Sequence, residues 1–397
     1  MRISTSGAFQ QGLSMMLKLQ SALDHTQKQV TTGRRHLTPS DDPFAAARSL
    51  NLRESMSRLD QFDRNSTMAT NRLGYEESAL QSVNNVLQRV RELALQANNA
   101  TQSDESRGPI VVEMRQHVDA LLQLANEKDG NGRYIFAGNQ DATAPVTQNG
   151  TTFDYHGDQG QRLIRIGENR QIADGDAGSA VFFRIRNGNG SFDVAAATGN
   201  SGTGITTAGS VVDAAQYDGG DYTVRFLDPG NYEVVDSAGA VVSSGTFETG
   251  DTISFRGIEF SIGGDPETND EFAVNSSRYQ DIFTTVQNLA DSIDDPIHDD
   301  VERAAMNNRI NSGILGIDQA LGTVLDVRTQ VGSRLSAIES QADSNSAFVL
   351  GLEETLDGIE ALDYADALSK LSIQMTMLEA AQQSFVKTRN LSLFNYL

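Results

Sequence analysis

The same periodicity marks both ends of the chain, and it limits the possible folds more than any other feature. Phe9, Leu13, Met16, Gln20, Leu23, Gln27 and Val30 advance in alternating steps of four and three, and Leu368, Leu371, Met375, Leu378, Gln382 and Phe385 repeat that rhythm near the C-terminus. Such steps place one seam along one face of an α-helix. Both seams admit Gln where a self-sufficient coiled coil would carry Leu or Ile. Each end offers about five large apolar side chains at roughly 1.5–3 kcal/mol apiece. Against this stands about 1–2 kcal/mol of backbone entropy for each of about thirty ordered residues. Neither end is expected to stay folded alone; each needs the other and neighbouring chains. An assembly interface is therefore assigned to Phe9, Leu13, Met16, Leu23 and Val30 with Leu368, Leu371, Met375, Leu378 and Phe385.

Between the ends the composition changes near residues 130 and 277. Ser40-Asp41-Asp42-Pro43 is a helix-start signal, because cap-type side chains precede a proline whose missing N–H costs nothing in a first turn. A seam then runs from Leu52 to Ala97, a helix of about 55 residues and roughly 80 Å at 1.5 Å per residue. A shorter helix is expected from Pro109, buried through Ile110, Met114, Val118, Leu121 and Ala125 and stopping at Asp129-Gly130. Another is expected from Tyr279 to Ile293, ended by Asp294-Asp295-Pro296. Ile310, Ile314, Ile317, Leu321, Val324, Arg328, Val331, Leu335, Ile338 and Ala342 form the cleanest heptad.

The middle reads as β. Residues 151–155 and 162–166 alternate across Gly157-Asp158-Gln159-Gly160, which predicts a hairpin. Further strands are expected at 181–186, 222–227, 232–236, 240–244, 252–256 and 258–262, with 199–209 a flexible loop by composition. Residues 171–277 hold 16 acidic against 4 basic residues. The fold class expected is α+β, a long antiparallel helical rod or coiled coil built from the N- and C-terminal regions, carrying an inserted, mainly β outer domain. The expected divisions are 1–42 with 345–397 as terminal coiled-coil helices ordered on assembly, 43–170 with 277–344 as a helical rod domain with a β-hairpin, and 171–276 as the exposed insert.

Charge and residue content exclude several functions. The 397 residues carry 31 Lys and Arg against 53 Asp and Glu, a net charge of −22. Nucleic-acid binding needs clustered cations that this chain lacks, and an anionic membrane is disfavoured for the same reason. With no Cys, there is no disulfide framework, thiol catalysis or thiolate metal site. No run of about 18 apolar residues is present to span a membrane. The N-terminus lacks the apolar core of a cleavable signal peptide. A cytoplasmic protein and one exported by a route that reads an uncleaved N-terminus look alike at this level.

No residue set carries chemistry. Gly199-Asn200-Ser201-Gly202-Thr203-Gly204 lacks the Lys-Ser or Lys-Thr and the strand-to-helix setting of a phosphate loop. His25, His36, His117, His156 and His298 show no two-histidine metal spacing. The acidic runs around Asp291–Asp300 and at Asp174, Asp176 and Asp270 lack the ligand set of a calcium loop. No catalytic, cofactor or metal site is assigned. A chain with assembly-dependent helices at both ends and an exposed β middle reads as a subunit of a polymer.

Those same residues resemble the flagellin family, and within it the junction proteins between hook and filament. Met1-Arg2-Ile3-Ser4-Thr5, Val30-Thr31-Thr32-Gly33-Arg34-Arg35 and Pro39-Ser40-Asp41-Asp42-Pro43 are similar to the family's first helix and its connection onward. Gly132-Arg133-Tyr134-Ile135-Phe136-Ala137-Gly138-Asn139 and the ending Leu391-Ser392-Leu393-Phe394-Asn395-Tyr396-Leu397 resemble the junction branch, with flagellin itself the alternative. The resemblance covers about residues 1–170 and 277–397. It implies a non-enzymatic structural protein without cofactor, exported unfolded to the extracellular flagellum. Its implied partners are the first hook-associated protein, flagellin, further copies of itself in a ring, and a cytoplasmic export chaperone on the helix from Leu368 to Phe385.

Overall fold

A computed structural model describes residues 5–99 and 102–390. Met1–Ser4 of the first motif and the Leu391–Leu397 ending lie outside the described residues. Among the described residues there are six α-helices: α1 Thr5–Thr32, α2 Pro43–Ala97, α3 Asp104–Ala125, α4 Ile282–Asp294, α5 Asp300–Glu360 and α6 Tyr364–Asn390. Two compact units result, Met1–Arg64 with Ser340–Leu397 and Asn65–Glu339, and the division falls within α2 and α5.

Local chemistry explains where the helices start. The Asp42 carboxylate accepts the N–H groups of Phe44 at 3.1 Å and Ala45 at 2.9 Å, so Pro43 opens α2 as expected. α3 begins at Asp104 rather than Pro109, because the Ser103 hydroxyl accepts from Ser106 N and Asp104 and Glu105 favour the first turn. Pro109 lies inside the helix instead of opening it. α4 is capped by Asp281, which accepts from Thr284 N. Tyr279 and Gln280, expected as its start, form a short strand instead.

The sheets correct one pairing. β1 Val146–Asn149 pairs with β2 Thr152–Tyr155, and β3 Leu163–Gly167 pairs with β4 Arg170–Ala173. The segments 151–155 and 162–166 are both strands, but they do not form a hairpin with each other. The turn that folds β1 onto β2 holds Asn149-Gly150, with Gly150 at φ +66°, an Asn-Gly hairpin signal. Gly157–Gly160 does other work: the Asp158 carboxylate accepts from Asn139 N and Gly160 N, tying that loop to the 136–139 turn.

Residues 179–183 form a π-helical turn rather than a strand, and β5 Ile185–Arg186 follows, paired with β15 Tyr279–Gln280. Beyond them lie β6 Phe192–Ala196, β7 Ile205–Thr206, β8 Ser210–Val211, β9 Tyr222–Asp228, β10 Asn231–Asp236, β11 Val241–Thr246, β12 Thr252–Phe255, β13 Ile258–Gly263 and β14 Glu271–Ser276. They make an antiparallel sheet of order β11-β10-β9-β14-β6 and a second of order β12-β13-β7, with β8 on β13. Phe192, Val224, Phe226, Val234, Phe260 and Phe272 fill a core of their own. Val181, Phe182 and Ile185 belong instead to the helical core, with Leu73, Leu80, Met114, Phe283, Ile310 and Ile317.

The 199–209 loop is pinned by two buried side chains. Asp270 accepts from Ser201 N, Gly202 N and Glu267 N. From α5, Asn308 accepts from Thr206 N and donates to Gly204 O. This polar clasp fastens the insert to α5.

The helical core also encloses charge. Arg72 and Glu76 of α2 meet Asp129, Asp174, Asp176 and Arg334: Arg72 reaches Asp129 at 3.1 Å, and Arg334 grips Asp176 at 2.8 and 2.9 Å. Glu76 is fully buried and accepts from Asp176 N, while its Oε2 has no hydrogen-bond partner. Burial, reinforced by the nearby Asp176 charge, pushes its carboxyl up from an ordinary 4.5 to about 8. An acid raised on folding stabilises fully below its unfolded value and loses that contribution as pH rises through the folded one. Glu76→Gln keeps the acceptor and removes the charge. It is expected to stabilise the Asn65–Glu339 unit by roughly 1–3 kcal/mol at pH 9 and to give no gain at pH 4, read by denaturant unfolding at both pH values.

Candidate assembly surface

α1 and α6 run antiparallel, since Phe9 near the start of one stacks with Phe385 near the end of the other at 4.9 Å between ring centroids. Gly12 makes room for that ring: a Cβ there would sit 3.3 Å from Phe385. Along α1 the inward line is Gly12, Met16, Leu19, Leu23, Thr26 and Val30; along α6 it is Ala367, Leu371, Gln374, Leu378, Ala381 and Phe385. Thr26 and Ala367 are buried and the others half-buried.

Of the ten residues assigned from periodicity, Met16, Leu23, Val30, Leu371, Leu378 and Phe385 face the partner helix. Phe9 touches Phe385 yet stays 46% exposed, and Leu13 at 42%, Leu368 at 51% and Met375 at 50% exposure lie off the shared seam. Met15, Leu17, Ile373, Met377 and Val386 are exposed too. The seam within the chain therefore keeps every second position of the one expected, and the alternate positions on α1 shift by one residue. Leu19 and Thr26 take the places given to Gln20 and Gln27, which face water, as does Gln382. Both helices carry two apolar lines side by side, and a two-helix pair covers only one of them. What remains is an apolar surface on a helix pair with a net thin core, the form a partner helix recognises.

The closed end of this pair is built from backbone. Arg35 N donates to Glu360 O at 2.8 Å and Leu362 N donates to Gly33 O at 3.0 Å. The Arg35 guanidinium adds a bond to Ile359 O, and Arg53 grips the Glu360 carboxylate at 2.6 and 2.9 Å. Gly33 occupies the left-handed region at φ +70°, and a Cβ there would lie 2.9 Å from the Tyr364 hydroxyl. Two carboxylates shape the connection to α2. Asp41 accepts from Leu37 N and Thr38 N, Asp42 caps α2, and these backbone donors hold both below the ordinary carboxylate value. Their contribution is thus present at neutral pH and is lost as pH falls through the carboxylate range. The Thr-Gly-Arg-Arg and Pro-Ser-Asp-Asp-Pro segments owe their residue types to this turn. Glu360 and Arg53 were invisible to periodicity, because each matters through a contact more than 300 positions distant.

Among the described residues no group of three or more His, Asp or Glu is placed to hold a metal ion, and no helix is long and apolar enough to cross a membrane. The chemistry available at this surface is association. Gly33→Ala is expected to cost about 1–2 kcal/mol from the left-handed backbone, before any clash with Tyr364. Far-UV circular dichroism during melting should show earlier loss of the terminal helices, with the Asn65–Glu339 unit unchanged.

Comparison with known proteins places these features. A model of the bacterial flagellin N-terminal helical region matches residues 3–141, and one of the D2-like domain of flagellar hook-associated protein 1 matches residues 195–276. Flagellar hook-associated protein 3 of Salmonella typhimurium is 24% identical over 395 residues, 99% of each chain. The crystal structure of FlgL from Xanthomonas campestris shares 34% identity and a TM-score of 0.73, covering 77% of this chain and 99% of that one. Hook-associated protein 3 from Legionella pneumophila shares 31% identity and a TM-score of 0.74, over 78% of this chain and 98% of that one.

Proposed function

The chain belongs to the hook-associated protein 3 branch of the flagellin family, and on that premise we propose that it is the adaptor subunit of the flagellar hook-filament junction. It is a structural component of the bacterial flagellum. The match to hook-associated protein 3 over 99% of each chain favours this over flagellin, the alternative, since the phase 2 flagellin of Salmonella abortus-equi matches 60% of this chain and 51% of its own. The observation that carries the mechanism is the apolar line left exposed on α1 and α6, through Leu13, Leu368 and Met375, with Phe9 only partly covered by Phe385. In the proposal these side chains are buried between neighbouring subunits, so that the terminal segments 1–42 and 345–397 order into a coiled-coil layer on assembly.

The segments 43–170 and 277–344 then form the next layer, and the acidic insert, 171–276, faces outward. On one side the ring of identical copies meets hook-associated protein 1, and on the other it receives flagellin. Such a chain acts without catalysis or cofactor. It reaches the outside unfolded through the flagellar export apparatus, and a cytoplasmic chaperone covers the α6 apolar lines beforehand. Exposed leucine and methionine at helical spacing support that last point, because a groove-bearing partner reads such a stripe.

Electron microscopy tests the reading. Purified chain added to hook fragments that end in hook-associated protein 1 should stop after a thin cap and then allow flagellin to grow from it. Long filaments of this chain alone would make it a flagellin. Leu368→Asp with Met375→Asp is expected to reduce incorporation at least about 100-fold, as two charges would enter an apolar contact, while the free chain keeps its helicity. Leu371→Asp with Leu378→Asp should also reduce helicity of the free chain, because those residues face α1.

A further inference from the structure

The insert has two electrically opposite ends. At its base, where β5 and β15 pair Arg186 with Tyr279, the guanidiniums of Arg184 and Arg186 lie over the exposed Tyr279 ring, 5.3 and 4.7 Å from its centroid. Neither arginine has a carboxylate partner among the described residues, although 16 acidic residues lie in the same segment of the chain. The hydrogen bond from Arg184 and the charge of Arg186 hold the Tyr279 phenol below its ordinary pKa. Acids near the base have other partners, Asp193 among them, whose carboxylate accepts from the Asn187 side chain at 3.3 Å. Asp221 accepts from Ser276 N and pairs with Arg278, Asp218 accepts from the Tyr222 hydroxyl, and Asp281 caps α4.

The far end is the reverse. β9 leaves the base at Tyr222 and reaches Asp228 after seven residues, about 20 Å at roughly 3.3 Å per residue. There the β9–β10 turn joins the loop after β11 through Phe247 N to Gly230 O at 2.9 Å, and that loop joins the turn after β13 through the Thr249 hydroxyl to Asp265 at 2.7 Å. Asp228, Glu248, Asp251, Asp265 and Glu267 are exposed on these three loops, with no Lys or Arg partner among the described residues.

We propose that the stacked Arg184–Tyr279–Arg186 platform docks the acidic loop end of a second copy of this chain, giving a head-to-tail contact between inserts around the ring. Two planar guanidiniums held on an aromatic face are preorganised for carboxylates and lose little side-chain freedom on pairing. A contact between two different patches is heterologous, and such contacts close into rings when the rotation permits. The apolar surface of α1 and α6 supplies the energy of assembly, and this charged contact sets the register between neighbours. The inference rests on the junction-subunit reading.

The test replaces Tyr279 with photoactivatable benzoylphenylalanine, which keeps an aromatic ring beside the arginines, in a motile strain whose flagella are purified and irradiated. The expected product is a dimer of this chain with the adduct mapped by mass spectrometry to 228–231 or 247–251. Adding Arg184→Glu and Arg186→Glu should lower the dimer yield about tenfold, whereas Arg184→Lys and Arg186→Lys should retain most of it. An incorporated chain that crosslinks only to another flagellar protein, to a different part of its twin, or to nothing overturns the inference. A chain absent from the flagella overturns the junction reading itself, and this inference with it.

Discussion

Everything in the terminal helices follows from one geometric limit: two helices in a pair can bury one line of side chains each. α1 and α6 carry two. Their shared seam includes Gly12, Thr26, Gln374 and Ala381, small or polar residues that bury little apolar area, while Phe9, Leu13, Leu368 and Met375 remain in water. At about 25 cal/mol per Å² such a seam leaves the pair only marginally stable against the entropy of ordering the helices that make it. A chain that spends its best apolar residues on its outer lines is built to finish its core with other chains. The backbone lock at Gly33, Arg35 and Glu360 then has a clear purpose, holding the pair in register at one end before neighbours complete it.

The Asn65–Glu339 unit has the opposite economy. Phe182, Phe283, Leu73 and Ile317 close a helical core, and Phe226 with Phe272 closes a second one inside the insert. Between them Asn308 on α5 makes a polar, specific connection to the 199–209 loop, which Asp270 braces from within the insert. The buried Arg72, Glu76, Asp176 and Arg334 set joins α2, α5 and the segment after β4 by directional bonds. Buried charge of this kind adds little net stability, and with Glu76 only half satisfied it subtracts some.

Much of this was legible in the residues. Asp42-Pro43 marked the start of α2, the Ile310–Ile338 heptad marked the buried face of α5, and alternation between glycine turns located β9 to β13. The misses have physical causes. Pro109 was read as a helix start because first-turn proline is common, yet the Ser103 cap outranked it. The hairpin partners of β2 and β3 were misassigned because alternation fixes a strand but not its neighbour, and Asn149-Gly150 was the turn signal that went unread. Within the chain only every second position of the expected seam faces the partner helix, because a helix with two adjacent apolar stripes satisfies the same three-and-four rhythm on either. The Glu360 contacts and the Arg184–Tyr279–Arg186 stack are nonlocal, and no spacing rule reaches them.

The central claim is that the outer lines of α1 and α6 become buried only in the assembly, and amide hydrogen exchange reads it directly. Exchange of residues 5–32 and 364–390 should be compared between the free chain and purified flagella. The account expects protection in both helices to rise at least about 100-fold on assembly, with little change in the buried strands of the insert core. Equal protection in the two states would mean that the helix pair is already complete in one chain, and would contradict it.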